Sequence, residues 1–437
     1  MDFGKKQNFI FIILPALLLF FLSCSKKKNT HQGRVYIQEN KGKYTLYRNG
    51  NPYTIKGGAG DSQFNILKKS GGNTLRIWDT VGLSIVLDSA KENNLAVIVG
   101  LPIYNSDYTS FYNDEKKVKK QFNDYKSLVN RYKQHPALLM WCLGNELDFP
   151  YKPSYNNFYK AFNNITDMIH TDDPDHPVMT TVLNFNKKYI LNLQLRCDID
   201  LISFNIFSRI DFLKDELKDA SLFWKGPFML AEWGVNGPWQ GTPQTAWGAF
   251  IENTSTKNAE HYLERYQKHM PIDDGRFLGS FVFYWGQKQE GTQTWFSLFD
   301  KNGAKSEAVS VMRQIWLGKK DSLPYPQINY MLLNNKGAPS SILLLAGDLA
   351  KAEVLMLDQA KIKSIKWEIY KEDWYKENKI HNTKKLEPIN GLISNSEDLY
   401  VNFKVPLEEG PYRIFATIYN DYGHFSSCNI PFYVLTE

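Results

Sequence analysis

Leu138-Leu139-Met140-Trp141-Cys142-Leu143-Gly144-Asn145-Glu146 decides the fold. Six apolar residues run without alternation and, with Ala137 before them, place a strand at Ala137–Leu143 that reads as buried on both faces. The run stops at a glycine, an amide and an acid. His135-Pro136 stands just before it, where a helix ends. Seven further apolar runs flank it: Tyr53–Gly58, Thr74–Trp78, Ala96–Leu101, Val178–Leu183, Leu201–Phe207, Phe228–Ala231 and Gly279–Tyr284. Between them, Leu83–Asn93, Lys116–Lys133, Tyr155–His170 and Thr256–His269 carry helical spacing. Strand and helix alternating eight times over roughly 280 residues is the pattern of a (β/α)8 barrel, placed here at 34–318.

Segments outside the barrel read differently. Arg34–Tyr47, Arg48-Asn49-Gly50 and Tyr53 suggest a hairpin with an Asn-Gly turn that plugs the barrel bottom. After Trp316-Leu317-Gly318, the charged and proline-containing stretch 319–326 reads as a linker. Short alternating runs follow at Ser341–Leu345, Lys363–Tyr370, Leu399–Lys404, Tyr412–Ile418 and Asn429–Val434. They predict an immunoglobulin-like β-sandwich over 327–437. Trp367 reads as core there, and Trp367 with Trp374 is the alternative of a sugar platform.

The N-terminus has the form of a processing signal. Lys5 and Lys6 precede an apolar run from Phe9 to Leu22, too short for a comfortable membrane span and suited to a signal sequence. Phe21-Leu22-Ser23-Cys24 resembles a bacterial lipobox, which makes residues 1–24 a lipoprotein signal. Cys24 is then the lipidated residue, 25–33 a tether, and the bacterial cell envelope the location. The alternative is an ordinary secreted protein with an incidental cysteine. Formal charge is +6 over the chain. Leaving out Asp2, Lys5, Lys6 and Lys26 to Lys28 brings it to +2, with no basic stripe, so nucleic acid is not an expected partner. Cys142, Cys197 and Cys428 show no metal-binding spacing. No metal or other cofactor is expected, and the chain is expected to act as a monomer.

A carboxylate where a buried strand runs out is poorly placed for stability and well placed for chemistry. Glu146 ends the fourth strand. Glu232, in Pro227-Phe228-Met229-Leu230-Ala231-Glu232-Trp233-Gly234, ends the seventh. Strands four and seven lie across the barrel from each other, so the two acids can face each other over its mouth. A gap of about 5–5.5 Å suits a retaining glycosidase, with Glu232 as nucleophile and Glu146 as acid/base. Asn145, beside Glu146, can hydrogen-bond a sugar 2-hydroxyl; a plain helix cap is the competing reading of Asn145-Glu146. Arg76, on strand two, can hold the nucleophile ionised and oriented, or be a structural barrel salt bridge. Trp285, after strand eight, is read as the platform under the sugar, and Asn205, on strand six, as a sugar or supporting contact. Tyr104, Trp239 and Trp295 are loop aromatics that can line subsites. Glu290 is a third acid of the same face, ranked behind the pair because no strand fixes it. An aromatic content of 14% suits sugar stacking as well as a large core.

These motifs together resemble a clan A glycoside hydrolase: Gly144-Asn145-Glu146 on strand four, the Glu232 motif on strand seven and the Trp285 motif on strand eight. The resemblance covers 34–318 and implies a (β/α)8 barrel with a retaining double-displacement mechanism. Thr242–Tyr262 and Gly279–Asp300 resemble bacterial family 2 barrel-type hydrolases, without the extra N-terminal sandwich domains of family 2 β-galactosidases and β-glucuronidases. A barrel followed by one sandwich in a lipoprotein is similar to family 158 endo-β-1,3-glucanases. The resemblance therefore implies a β-glucan substrate and endo-β-1,3-glucanase activity. A β-1,3-glucanosyltransferase, a family 2-like exo-β-glycosidase and a non-catalytic glycan-binding lipoprotein are the alternatives. One position departs from the clan pattern. Phe207 stands where many members carry a tyrosine whose hydroxyl bonds the nucleophile, and Tyr284 or Tyr104 is the candidate substitute.

Overall fold

The computed structural model describes residues 33–358, 362–372, 386–393 and 398–436. The expected signal peptide, Cys24, the expected tether up to residue 32, and Trp374 lie outside the described residues.

Three short antiparallel strands open the fold: β1 (Val35–Asn40), β2 (Lys43–Arg48) and β3 (Asn51–Pro52). The expected hairpin is thus a meander with two turns. Asn49-Gly50 joins β2 to β3, and a further turn at Lys41-Gly42 joins β1 to β2. All four turn residues adopt positive φ. The meander covers the ends where the barrel strands begin. The Val35 N–H donates to the Asp175 carbonyl at 2.9 Å and the Tyr44 N–H to the Gly275 carbonyl at 2.7 Å. The Arg48 guanidinium reaches the Pro136 carbonyl at 2.8 Å, and Val35 and Leu46 are buried in the barrel core.

Eight parallel strands then close a barrel in sequence order. They are β4 (Ile55–Ala59), β5 (Thr74–Ile77), β6 (Ala96–Leu101), β7 (Leu138–Leu143), β8 (Val178–Leu183), β9 (Leu201–Asn205), β10 (Phe228–Trp233) and β11 (Phe277–Val282). Both faces of β6 and β7 are buried, which is why those segments read as unbroken apolar runs. The predicted helices form at Leu83–Glu92, Glu115–Tyr132, Asn156–Asp172 and Ser255–His269. Asp114 caps the second of these by accepting from the Lys116 and Lys117 N–H groups, and Thr254 caps the fourth through the Lys257 N–H. Glu307–Leu317 is the last helix of the barrel and ends at Gly318 in the left-handed conformation.

Seven strands follow: β12 (Gln327–Leu333), β13 (Leu343–Leu345), β14 (Leu349–Asp358), β15 (Ile362–Lys371), β16 (Tyr400–Lys404), β17 (Gly410–Asn420) and β18 (Phe425–Leu435). They form two sheets, β12-β14-β16 and β13-β18-β17-β15, consistent with an immunoglobulin-like sandwich. Trp367 is buried between them, and its indole N–H donates to the Asp398 carbonyl at 3.0 Å. Cys142, Cys197 and Cys428 are free thiols.

Barrel and sandwich share a buried polar seam. Glu252 accepts from the Thr292 hydroxyl at 2.6 Å, the Thr294 hydroxyl at 2.7 Å and the Asn429 amide at 2.7 Å. Arg413, on β17, is buried. It donates to Asn429 Oδ1 at 2.6 Å, to the Phe250 carbonyl at 2.6 Å and to Glu372. Burial raises the Glu252 carboxyl above its ordinary range, against the pull of those donors and of Arg413. The seam holds the 290–295 loop, which follows β11 on the side where the barrel strands end.

Candidate active site

A cavity of about 390 Å³ opens at the C-terminal ends of the barrel strands. Its wall includes Asn145, Glu146, Glu232 and Trp239, together with Trp78, Phe207, Phe283, Lys288 and Glu290. A larger groove of about 740 Å³ lies outside the barrel, between the helices Glu115–Tyr132 and Asn156–Asp172. Helix side chains line it, and neither strand-end glutamate reaches it.

Backbone geometry at the end of β7 sets up Glu146. The Gly144 N–H donates to the Leu101 carbonyl at 2.9 Å, and the chain then turns through positive φ at Gly144 and again at Glu146. A Cβ on Gly144 would lie 2.3 Å from the Leu147 side chain, so only glycine fits. The left-handed backbone at Glu146 is uncommon for a residue of its kind, and such strain gathers at functional sites.

Glu232 sits on β10 itself, opposite Asn205 of β9 in the sheet register, and is 5% exposed. Two donors take its Oε1: the Arg76 guanidinium at 2.6 Å and the Trp78 indole N–H at 2.7 Å. Arg76 also donates to Asn145 Oδ1 at 2.5 Å. Asn205 Nδ2 donates to the same oxygen at 3.1 Å and to Glu146 Oε1 at 2.8 Å. One hydrogen-bonded chain therefore runs Glu232–Arg76–Asn145–Asn205–Glu146. With both donors on Asn145 Oδ1, the amide nitrogen of this exposed side chain is left for the cavity.

Electrostatics act on Glu146. The Glu146 carboxyl is raised from its ordinary value of 4.5, first by burial and then by the negative charge of Glu232, with Glu290 adding to the effect. The Asn205 hydrogen bond and the Arg76 charge pull the other way without cancelling it.

The remaining predicted residues divide. Trp239 lines the cavity. Asn205 and Arg76 stand behind the wall, 0% and 1% exposed, so neither is placed to touch a molecule in the cavity; they hold Glu232, Asn145 and Glu146, which line it. Trp285 is not a platform. It is 0% exposed, and its ring packs against Phe299 and Trp316. The reason is local: Gly58 leaves a space that a Cβ could not share, since it would approach the Trp285 ring system to 2.7 Å. Tyr104 follows β6 but is half exposed, packs at a tilt against Tyr108 and Phe111, and is absent from the cavity wall. Trp295 is buried and donates to the Asn236 carbonyl at 2.9 Å, so it packs a loop. Glu290 belongs to the cavity wall and is buried, held by the loop that Glu252 and the sandwich secure.

Trp78, Phe283 and Lys288 were not singled out from the sequence. Trp78 carried a readable signal. It lies two residues beyond Arg76, so strand alternation sends both side chains to the barrel interior. Its N–H supplies the bond to Glu232 that Phe207 cannot make. Tyr284 stacks on Trp78 at 5.8 Å instead. Lys288 and Phe283 sit past the end of β11, where no periodicity applies.

A closed parallel barrel with two linked carboxylates at its C-terminal mouth is the architecture on which barrel glycoside hydrolases are built. The sequence profile described as glycosyl hydrolases family 2, TIM barrel domain, matches residues 72–293, just over half of the chain, and the chain belongs to that family. Among solved structures of similar fold, the Faecalibacterium prausnitzii β-glucuronidase superposes with a TM-score of 0.50 at 17% identity, over 65% of this chain and 52% of that one. A calcium-binding mutant of Bacteroides uniformis β-glucuronidase 2 gives 0.50 at 12% identity, over 92% and 48%. The endo-β-1,4-mannanase of Thermotoga petrophila gives 0.44 at 14% identity, over 89% and 99%. The chain thus spans about half the length of the Bacteroides uniformis enzyme. No curated protein matches it in sequence.

Proposed function

We propose that the chain is a retaining β-glycoside hydrolase acting on a β-glucan, as an endo-β-1,3-glucanase, with Glu232 as nucleophile and Glu146 as acid/base. The observation that carries the mechanism is the hydrogen-bonded chain from Glu232 through Arg76, Asn145 and Asn205 to Glu146 in the wall of one cavity. The choice of β-glucan rests on the resemblance of the barrel-and-sandwich architecture.

Arg76 and Trp78 both hold Oε1 of Glu232, which leaves Oε2 to attack the anomeric carbon. As the carbon–oxygen bond to the leaving group breaks, Glu146 gives its proton to the departing oxygen. A glycosyl ester on Glu232 results, with the configuration inverted. Glu146, now a carboxylate, takes a proton from water as the water oxygen attacks the same carbon. The ester breaks, and a second inversion restores the β configuration. The Asn145 amide donates to the sugar 2-hydroxyl, a contact that tightens in the transition state.

Products of laminarin cleavage are expected to appear first as β-anomers by time-resolved proton NMR, before mutarotation. Initial release of α-anomers would assign an inverting reaction and remove Glu232 as nucleophile.

Glu146 must be protonated to act as the acid. Its folded pKa is raised, so activity is present below that pKa and is lost as pH rises through it. Asn205→Ala removes a bond that favours the charged carboxylate. The alkaline limb of kcat/KM is therefore expected to move to higher pH, alongside a fall in kcat of roughly tenfold or more. A limb that moves to lower pH would argue that another group is the acid.

A further inference from the structure

Lys288 and Glu290 share the cavity wall with the two strand-end glutamates. Lys288 Nζ lies 2.9 Å from Glu290 Oε2, and the Glu290 side chain is only 8% exposed. The same ammonium sits 4.9 Å from the Phe283 ring centre and 5.7 Å from those of Trp78 and Tyr284. Lys288 is thus held on one side by a carboxylate and on the other by three aromatic faces. It is the one cation among the described residues of the wall. Arg76, behind the wall, is committed to Glu232 and Asn145.

The wall therefore sets three carboxyl groups against a single ammonium that already has its partner. A sugar carboxylate entering here has to draw Lys288 away from Glu290. That step takes the ammonium from a buried carboxylate and brings a further negative charge beside Glu146 and Glu232. Sugar hydroxyls make no such demand. Glu290 accepts from one and Lys288 donates to its neighbour, and the ion pair stays closed. We infer that the Lys288–Glu290 pair selects neutral hexosides, by binding adjacent hydroxyls, and rejects glycosides of uronic acids. This rests on the glycosidase reading of the site and adds the residue pair that enforces the neutral charge class of its sugar. Fold does not decide that class, because a structure of similar fold is a β-glucuronidase.

The test uses the full chain with nitrophenyl β-glucoside, β-galactoside, β-mannoside and β-glucuronide. Binding of the same compounds to the resting protein is followed by saturation-transfer NMR. The best neutral glycoside is expected to exceed the glucuronide in kcat/KM by about 100-fold or more. Glu290→Gln frees Lys288 from its carboxylate and is expected to shrink that ratio about tenfold, mainly through a lower KM for the glucuronide. Glucuronide turnover equal to that of the best neutral glycoside overturns the inference. So does a ratio that Glu290→Gln leaves unmoved while the variant still turns over a neutral glycoside. The wild-type ratio stands as a test even if the variant does not fold. Should no compound be cleaved, binding decides: a neutral glycoside bound in preference to the glucuronide upholds this selectivity while the hydrolase reading fails. Glucuronide bound as well as the neutral compounds, or none bound, overturns the selectivity itself.

Discussion

Glu232→Gln is expected to lower kcat on any β-glycoside substrate by roughly 10⁴-fold or more, with the fold intact. The substitution keeps the shape of the side chain and its acceptor oxygen, so Arg76 and Trp78 retain a partner. What goes is the anionic oxygen that forms the glycosyl ester. A shorter variant, Glu232→Ala, opens space for a small anion. With an activated aryl β-glycoside, added azide should then restore turnover and yield the α-glycosyl azide, because only one inversion occurs. Circular dichroism and thermal unfolding, run beside the assay, separate lost chemistry from lost structure. Undiminished turnover in Glu232→Gln would end the assignment of Glu232 as nucleophile.

Arg76→Leu is expected to be the most damaging single change to stability near the site. Arg76 is 1% exposed and holds Glu232, itself nearly buried, through a 2.6 Å contact. Removing one partner of a buried ion pair leaves the other without compensation, at a cost of about 3–5 kcal/mol. The same change frees Asn145 and breaks the link to Asn205 and Glu146, so kcat/KM should fall at least about 100-fold. Urea unfolding gives the first quantity and steady-state kinetics the second. The double variant Arg76→Leu with Glu232→Leu should recover part of the lost stability, since it removes the stranded charge as well. A single variant within about 1 kcal/mol of the parent would show that the carboxylate finds another partner and that Arg76 is not its support.

The barrel was legible because a parallel barrel writes itself as unbroken apolar runs. Ala96–Leu101 and Val178–Leu183 coincide with β6 and β8 residue for residue, and the other six runs agree to within two residues at each end. Glu146 and Glu232 were legible for a related reason: an acid that closes such a run has no structural excuse. The sandwich was harder to read. Leu349-Ala350-Lys351-Ala352-Glu353-Val354 is rich in good helix formers, and no strand is expected there from propensity. It forms β14 because Ala350, Ala352 and Val354 alternate into the sandwich core, a tertiary demand that outweighs local preference. β12 hides behind the proline-containing stretch before it.

Aromatic side chains set the limit on reading the site. Trp78 and Trp285 both lie at strand ends, and sequence offers no way to tell which ring faces the cavity. For Trp285 a small residue across from the ring decides it. Gly58 admits Trp285 into the wall of the barrel, while Trp78 is left beside Glu232. Glu290 was undervalued because a loop acid lacks a strand to fix it. The fixing comes instead from Glu252, nearly forty residues earlier in sequence, and from Asn429 on a different sheet.

The Glu252–Asn429–Arg413 seam also constrains how this architecture can change over evolutionary time. Arg413 is satisfied by a carbonyl of the barrel loop, and Glu252 by an amide of the sandwich, so each half carries what the other lacks. Exchanging the sandwich for another of the same topology would take the Asn429 donor from Glu252 and the Arg413 donor from the Phe250 carbonyl. It would also remove one support of the loop that carries Glu290, which the Thr292 and Thr294 bonds to Glu252 alone would then hold. A change at the cavity wall is thus linked through that loop to β17 and β18, and the two halves are expected to diverge in step.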